Sequence, residues 1–312
     1  MDETRVSVAM KSTMAVCSIG VMAYNEERNI GRLLEALRHQ KTVSARIDQI
    51  IVVASGCTDR TEAIVRQAAQ VDSRVRLIRQ TRREGKARAI NLFLQAANEK
   101  GADLCVLQSG DTLPEDGTLE ALLQPFAADP TVGMTGAHVI PVNGHGTFVG
   151  GAVQTLWRLH HRLAMESPKM GELIAFRNVV LGIPGDSAVD EVSIESAINI
   201  RGFRLRYAPD AIVRNKGPET ISDFLKQRRR IHAGHLAVSR QSGYAPATMK
   251  LSRVAKHFLA DMVTSPGQIP VSLGAAGLEA VGRALGAWDF YVARRSHAIW
   301  EIAVTTKDVQ GN

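Results

Sequence analysis

The stretch LCVLQSGD, which runs from Leu104 to Asp111, decides the fold class of this 312-residue chain. Its apolar start is typical of a strand buried on both faces, and the strand pattern stops abruptly at Ser109, Gly110 and Asp111. In open sheets of parallel strands, ligands bind outside the carboxyl ends of the strands. The stretch therefore predicts a buried strand that delivers the Asp111 carboxylate to a ligand site.

The segments before this stretch alternate between strand and helix patterns. Strands are predicted over AVCSIGVMAY (15–24), QIIVVAS (49–55) and RVRLIRQ (74–80). A helical pattern follows each of them, in ERNIGRLLEALRHQ, TEAIVRQAAQ and GKARAINLFLQAANEKG. Strands joined by helices of this length imply βαβ units, so we predict an α/β fold with a mostly parallel, doubly wound sheet.

The composition is that of a globular protein, with 45% apolar and 22% charged residues. The 38 Lys and Arg exceed the 31 Asp and Glu by seven, and this excess suits phosphate-bearing ligands, anionic lipid or nucleic acid alike. Three cysteines without a CxxC pair favour a reducing compartment over a disulfide framework or a zinc site. With no signal-peptide pattern and no uncharged apolar run of about 18 residues, we expect a cytoplasmic protein without a transmembrane helix.

Polar motifs follow the predicted strands in a fixed order: AYNEE (23–27), ASGCTDRT (54–61), REGKARAIN (83–91) and QSGDTLPEDG (108–117). PGDSAVDEVSIESAINIRGF and KQRRRIHAGH come later. This series resembles the family 2 glycosyltransferases, whose pattern is P-x-Y-N-E, D-D-G-S-x-D-x-T, G-K-x-x-A-x-N, D-x-D, E-D and Q-x-x-R-W. The resemblance covers roughly 16–236. It implies a GT-A fold and transfer of sugar from a nucleotide donor.

The resemblance also implies a site for a nucleotide-diphosphate sugar, a UDP- or GDP-sugar, in the first half of the chain. Ala54 and Ser55 stand where the family has two acids, whereas Asp59 matches its motif. Lys86 is predicted at the start of a helix, where a cation and free backbone N–H groups can contact a diphosphate. The residues expected to contact the donor are Ala23, Tyr24, Glu26, Ser55, Asp59, Lys86, Ser109, Gly110, Gln227 and Arg230.

QSGD aligns with the D-x-D motif, and Ser109 takes the place of its first aspartate. In the family the last aspartate ligates Mg²⁺ or Mn²⁺, so the resemblance implies this role for Asp111. One carboxylate, together with phosphates and water, can satisfy such an octahedral cation. The alternative is that Asp111 caps a turn or the following helix.

Counting back from Gly202 places Glu191 at the family's catalytic aspartate and Asp190 at the glutamate before it. Inverting transfer needs a carboxylate on the acceptor side, which takes the hydroxyl proton as that oxygen attacks the anomeric carbon. Either residue can be this base. Alternatively, Asp190 is an N-cap and Glu191 lies in the first helical turn, and both interpretations can hold together.

KQRRRIHAGH resembles Q-x-x-R-W, with Gln227 and Arg230 matching and Ile231 in place of tryptophan. An arginine fork here suits the departing diphosphate. The alternative is a solvated basic face of a long helix. Because the indole is missing, a processive polymerase is not expected. His232 and His235 lie a helical turn apart without a further ligand, which does not predict a metal site.

We predict a GT-A domain over 14–240, with a nucleotide-sugar half (14–112) and an acceptor half (113–240), and a helical C-terminal extension over 241–312. Helical spacing in the extension leaves Arg253, Lys256 and His257 outside an apolar stripe. This stripe packs on the catalytic domain or lies on a membrane surface, at the inner face of the plasma membrane. The stripe consists of Leu251, Val254, Phe258, Leu259 and Met262.

Two functions from different classes follow from these motifs. The first is an inverting, metal-dependent glycosyltransferase acting on a glycan, lipid-linked or small-molecule acceptor. The second is a catalytically inactive relative that binds nucleotide or glycan, which Ser109, the Ala54-Ser55 pair and Ile231 would explain. Nucleic-acid binding is not expected, because the positive residues are spread along the chain without an aromatic-basic motif.

Overall fold

The computed structural model describes residues 14–299 and 306, and these residues form a curled sheet covered by helices. Eight strands lie in the order β3-β2-β1-β4-β7-β6-β8-β5. Their bounds are β1 (Ala15–Ala23), β2 (Ala45–Ser55), β3 (Val75–Gln80), β4 (Leu104–Ser109), β5 (Thr112–Pro114), β6 (Val132–Pro141), β7 (Leu173–Arg177) and β8 (Arg204–Asn215). The N-terminal segment 1–13 and residues 300–305 and 307–312 of the predicted extension lie outside the described residues.

The first half of the sheet is parallel. Strand β1 pairs in parallel with β2 and β4, and β2 pairs in parallel with β3. The crossovers are the helices α1 (Ile30–His39), α2 (Thr61–Val71) and α3 (Lys86–Glu99). The carboxyl ends of β1, β2 and β4 therefore meet at one edge of the sheet, as expected from the LCVLQSGD stretch. The α/β prediction is confirmed.

The second half of the sheet is mixed. Strand β7 lies antiparallel between β4 and β6, whereas β6 pairs in parallel with β8. Because β7 runs against β4, its first residues lie at the edge where β4 ends. The helices of this half are α4 (Thr118–Ala128), α5 (Phe148–Glu166), α6 (Asp190–Ile200) and α7 (Ile221–Ser242).

Two apolar clusters hold the helices to the two faces of the sheet. Along β2, Ile50 and Val52 belong to one cluster, whereas Ile51 and Val53 belong to the other, as the two-residue period of a strand requires. Gly20 allows α3 to approach closely, since a Cβ there would lie 2.5 Å from Cγ of Phe93. The strand edge that carries the polar motifs is thus held rigidly from both sides.

The C-terminal extension begins with the helices α8 (Leu251–Thr264) and α9 (Ile269–Trp288), which lie against α5 and α7. The polarity of α8 corrects the sequence prediction. Leu251 and Leu259 of the predicted apolar stripe are 72% and 61% exposed, whereas His257, predicted outside the stripe, is buried together with Asp261. The reason is electrostatic, because the Asp261 carboxylate accepts hydrogen bonds of 2.9 Å from both Nε and Nη2 of Arg158 on α5.

Helix α9 contacts its neighbours through small residues. Ser272, Ala275, Gly282 and Gly286 are buried, whereas Leu273 and Trp288 are more than half exposed. A Cβ at Gly286 would lie 2.5 Å from the carbonyl oxygen of Arg229, so glycine permits close contact with α7. No helix within the described residues is both long and apolar enough to cross a bilayer.

Candidate active site

A cavity of about 680 Å³ opens at the carboxyl ends of β1, β2 and β4 and continues between α5, α7 and α8. Most of the residues predicted for the site line it. These residues come from six separate motifs, which are spread over more than 200 positions of the sequence and are brought together by the fold. They are Ala23, Tyr24, Glu26, Ser55, Lys86, Ser109, Asp111, Asp190, Glu191, Gln227 and Arg230.

Two predicted residues, Asp59 and Gly110, lie beside the cavity rather than in its lining. The Asp59 carboxylate accepts hydrogen bonds from the backbone N–H groups of Glu27 and Thr61, both at 3.0 Å. Although burial works in the other direction, these bonds lower the pKa of Asp59. Asp59 thus ties together the loops that follow β1 and β2. A donor contact for Asp59 or Gly110 stays a prediction.

A flat surface lies at the strand ends of β1 and β2. The guanidinium carbon of Arg83 lies 4.5 Å from the centroid of the Tyr24 ring, and both side chains line the cavity. The buried hydroxyl of Ser55 also belongs to a lining residue, and it has no hydrogen-bond partner among the described residues. The pairing of Arg83 with Tyr24 was not predicted; the signal available was the TRRE sequence directly before the lysine motif.

Lys86 is the positive centre of the cavity. It is the first residue of α3, and its Nζ lies 3.2 Å from the Ser109 hydroxyl and 3.0 Å from the Asp190 carboxylate. Burial opposes the charge, but Asp190, Glu191 and Glu172 raise the pKa of Lys86 above its usual value. Lys86 is therefore a permanent cation at a helix N-terminus, an arrangement that suits a phosphate group.

The acid pair lies at the start of α6. Val189 is the N-cap, so Asp190 is not the cap that one interpretation expected, and both acids lie in the first helical turn. Asp190 is 7% exposed and is paired with Lys86, whereas Glu191 is half-buried and lines the cavity. The two carboxylates therefore have different surroundings, one committed to a cation and one facing the cavity.

Asp111 lies in the turn after β4, half-buried in the cavity wall. Helix α4 begins seven residues later with Gly117 as its N-cap, so the interpretation of Asp111 as a helix cap is wrong. No group of three or more His, Cys, Asp or Glu side chains in the described part of the chain could hold a metal by itself. An oxygen ligand facing an open cavity nevertheless fits Mg²⁺ or Mn²⁺, which keep several ligands from water or phosphate.

Glu172, directly before β7, is a cavity residue that sequence reasoning missed. Burial, followed by the charge of Asp111, raises the pKa of Glu172 to about 7, although Lys86 acts in the opposite direction. None of the motifs in the sequence includes Glu172. Its position depends on the antiparallel insertion of β7, which periodicity does not predict.

Arg230 closes the cavity from α7. Its Nη1 donates a hydrogen bond of 2.8 Å to the carbonyl oxygen of Ala188, just before α6. Burial lowers the pKa of Arg230, while Glu191 and Asp190 oppose that shift. The side chain therefore joins α7 to the segment that carries the acid pair, and it adds a second positive charge to the cavity.

Between α5 and α7 the cavity lining includes two histidines and a tryptophan beside the charged side chain of Lys169. Burial lowers the pKa of His160 to about 3 and also lowers the pKa of His235, with Lys169 as the nearest charged cause in both cases. The ring centroids of Trp157 and His160 are 5.1 Å apart. Uncharged imidazoles beside an indole offer hydrogen bonds and an apolar face to a ligand that enters from this side.

Comparisons with known proteins place the chain in a family. The model of "Glycosyl transferase family 2" matches residues 18–174, and that of "Glycosyl transferase family group 2" matches residues 106–278. The chain is 23% identical over 256 residues to the poly-beta-1,6-N-acetyl-D-glucosamine synthase of Staphylococcus aureus strain COL. That match covers 76% of this chain but only 58% of the synthase, so the chain spans little more than half of its length.

Solved structures share the fold. Mannosyltransferase PcManGT from Pyrobaculum calidifontis, in complex with GDP-Man and Mn²⁺, aligns with a TM-score of 0.63 at 22% identity, covering 89% of this chain and 88% of that one. Glucosyl-3-phosphoglycerate synthase from Mycobacterium tuberculosis, in complex with Mn²⁺ and UDP-Glc, aligns with a TM-score of 0.52 at 17% identity, covering 74% and 80%. The chain therefore belongs to glycosyl transferase family 2 and has a GT-A fold.

Proposed function

We propose that this protein is an inverting glycosyltransferase that moves a sugar from a nucleoside-diphosphate donor to an acceptor hydroxyl. The observation that carries the proposal is the convergence of Lys86, Asp111, Arg230 and Glu191 on one cavity at the strand ends. Fold alone does not imply function, but these four groups supply the charges that sugar transfer needs. Each has a separate role.

The donor is held along the edge of β1, β2 and β4. Tyr24, supported by Arg83, gives the nucleotide base a surface for stacking, and the Ser55 hydroxyl offers it a hydrogen bond. Lys86 and the N-terminus of α3 bind the diphosphate. The solved relatives hold GDP-Man in one case and UDP-Glc in the other, so both nucleotides are candidates here.

Asp111 is the residue that would hold Mg²⁺ or Mn²⁺. When bound, the cation neutralises charge on the diphosphate and so makes it a better leaving group. Lys86 and Arg230 add positive charge on the same side, where the negative charge grows as the nucleotide departs. These two side chains are ordered by Ser109 and Ala188, so little reorganisation is needed.

Glu191 is the base. Asp190 is 7% exposed and its carboxylate is paired with Lys86 at 3.0 Å, whereas Glu191 is half-buried in the cavity wall and forms no such ion pair within the described residues. The acceptor oxygen forms a bond to the anomeric carbon from the face opposite the diphosphate, and the bond from that carbon to the phosphate oxygen breaks. The proton of the acceptor hydroxyl moves to the Glu191 carboxylate.

The test is binding and turnover with a panel of UDP- and GDP-sugars, with and without Mn²⁺. A bound donor raises the melting temperature by mass action, and donor hydrolysis or transfer shows catalysis. We expect Asp111→Asn to lose the Mn²⁺-dependent part of the shift, while Glu99→Gln, at the exposed end of α3, keeps it. Binding of nucleotide without turnover of any donor would instead favour the catalytically inactive alternative.

We also propose that α8 and α9 rest on the inner face of the plasma membrane, which fits a lipid-linked or membrane-proximal acceptor. Support comes from exposed apolar side chains next to the exposed cations Arg253 and Lys256. A monomeric surface rarely exposes so many apolar groups together. The exposed apolar residues of this surface are Leu251, Leu259, Val263, Leu273, Val281, Trp288, Tyr291 and Val292.

Sedimentation with liposomes tests the membrane proposal. We expect wild-type protein to bind vesicles that contain anionic lipid, and we expect Leu259→Ser combined with Trp288→Ser to bind much less. The matched control is Val71→Ser, which removes a 73% exposed apolar side chain from α2, far from this surface in the fold. Equal sedimentation of all three proteins would contradict the proposal.

A further inference from the structure

Ser109 stands where the family has the first acid of D-x-D, and the sheet places a glutamate next to it. Strands β4 and β7 are antiparallel, with Gln108 opposite Leu173. Continuing this register by one residue along each strand would place Ser109 opposite Glu172, which lies in the bend directly before β7. Residues directly opposite in an antiparallel pair have their Cβ atoms about 5 Å apart. The side chain of residue 172 can therefore reach the space that an acid at residue 109 would fill.

Glu172 and Asp111 are neighbours in the same cavity wall. Both line the cavity, and the charge of Asp111 is the largest electrostatic influence on Glu172 apart from burial. The Ser109 side chain is neutral and contacts Lys86 instead, since its hydroxyl accepts a hydrogen bond from Lys86 Nζ at 3.2 Å. The chain thus has two adjacent carboxylates at the end of β4, although its motif supplies only one.

Carboxylates gather at this end of the cavity. Asp190, Glu191 and Glu172 act on Lys86, and Asp111 acts on Glu172. Two carboxylates that share a site repel each other, and a divalent cation held between Asp111 and Glu172 would offset that repulsion.

We propose that Glu172 replaces, across the strand pair, the carboxylate that the QSGD motif lacks at Ser109, and that Asp111 and Glu172 together hold the divalent cation. This inference rests on the proposed function, because phosphate oxygens of the donor would supply further ligands of the cation. Two carboxylates and phosphate oxygens form the all-oxygen set that Mg²⁺ and Mn²⁺ prefer. Glu172 is thereby a metal ligand that the family motif does not identify.

The test measures Mn²⁺ binding directly, by the electron paramagnetic resonance signal of free Mn²⁺ in the presence of GDP or UDP. We expect Glu172→Gln to weaken Mn²⁺ binding at least about tenfold, since loss of a ligand should cost no less than loss of a supporting group. The exchange variant that combines Ser109→Asp with Glu172→Thr moves the carboxylate back to the family position. We expect it to regain most of the affinity that Glu172→Gln loses.

Controls separate this inference from the proposed function and from misfolding. Glu99→Gln should bind Mn²⁺ as wild type does, and the melting temperature without metal should show that Glu172→Gln is folded. Wild-type affinity in Glu172→Gln would overturn the role of Glu172 while leaving the donor site intact. Failure of wild-type protein to bind Mn²⁺ with either nucleotide would overturn both. A variant that keeps Mn²⁺–nucleotide binding but loses nucleotide-sugar binding would assign Glu172 to the sugar instead.

Discussion

The strand edge of the catalytic domain and the C-terminal helices distribute polarity in opposite ways. In the sheet, apolar side chains such as Ile19 and Val52 are fully buried, and charged groups collect at the strand ends. In the extension, several acidic side chains are buried and several large apolar side chains are exposed. Asp261 and Asp289 are 0% exposed, whereas Val263 is 82% exposed.

This difference shows that the two regions are held by different forces. The sheet core is stabilised by burial of apolar area, which is not directional. The extension is attached by ion pairs with defined partners, Arg158 with Asp261 and Arg229 with Asp289, beside a small apolar cluster that includes Ala275 of α9. A buried carboxylate is tolerated only when it is paired, so these contacts fix where the helices dock. The apolar surface of the helices is left available for another partner.

The largest expected effect concerns the charges at the strand edge. Glu191→Gln removes the proposed base without changing its size, and we expect kcat to fall by roughly 10²–10⁴-fold while Mn²⁺-dependent nucleotide binding is kept. Steady-state rates with the donor found in the panel provide the measurement. If Glu191→Gln keeps its activity and Asp190→Asn loses it, the base is Asp190, and the contrast drawn between the two acids is wrong.

The next effect concerns the buried ion pairs of the extension. Asp261→Ala leaves Arg158 without its carboxylate partner, and we expect the free energy of unfolding to fall by about 3 kcal/mol. Denaturant unfolding measures this loss. The matched control is Asp48→Ala, whose ion pair with Arg46 is largely solvated and should contribute less than about 1 kcal/mol. Equal losses in the two variants would mean that charge does not anchor the extension.

A pH dependence follows from Glu279 of α9. Burial opposes ionisation, but Arg228 and Arg283 prevail and lower its pKa from 4.5 to about 2. A carboxyl whose pKa is lowered by folding stabilises the protein above the unfolded pKa, and this stabilisation is lost as the pH falls toward the folded value. We expect wild type to exceed Glu279→Gln by roughly 3 kcal/mol above pH 4.5, with the difference vanishing near pH 2. Urea unfolding at several pH values measures the difference between the two proteins. A difference that stays constant with pH would contradict the prediction.

The smallest effect is expected at the exposed apolar surface. Leu259→Ser should change the free energy of unfolding by less than about 0.5 kcal/mol, because the side chain is already 61% exposed. Leu33→Ala, at a fully buried position of α1, should cost about 2–5 kcal/mol. Thermal unfolding of the two variants gives the comparison. A large loss in Leu259→Ser would show that the apolar surface of α8 stabilises the fold itself.

The strand edge was largely predictable from sequence, for a physical reason. Parallel strands joined by helices must end at one edge, so motifs after β1, β2 and β4 had to meet there. Eleven of the thirteen predicted site residues line the cavity. The prediction missed Glu172, because its place beside Ser109 comes from the antiparallel insertion of β7 and not from any local pattern.

The polarity of the extension was not predictable in the same way. Helical spacing shows which residues share a face, but not which face is turned inward. That choice depends on Arg158, which lies 103 residues before Asp261 in the chain. A short-range pattern carries no information about such a partner, which is why the burial of His257 and Asp261 was not predicted.

Gly85 lies at a contact between the two regions. Its φ of +96° is a conformation that side chains rarely adopt, and a Cβ there would lie 2.6 Å from the carbonyl oxygen of Ala298 in the C-terminal segment. That segment therefore rests on the loop directly before Lys86. If the docking of this segment changes the affinity for the donor by some factor, donor binding must change the docking equilibrium by the same factor.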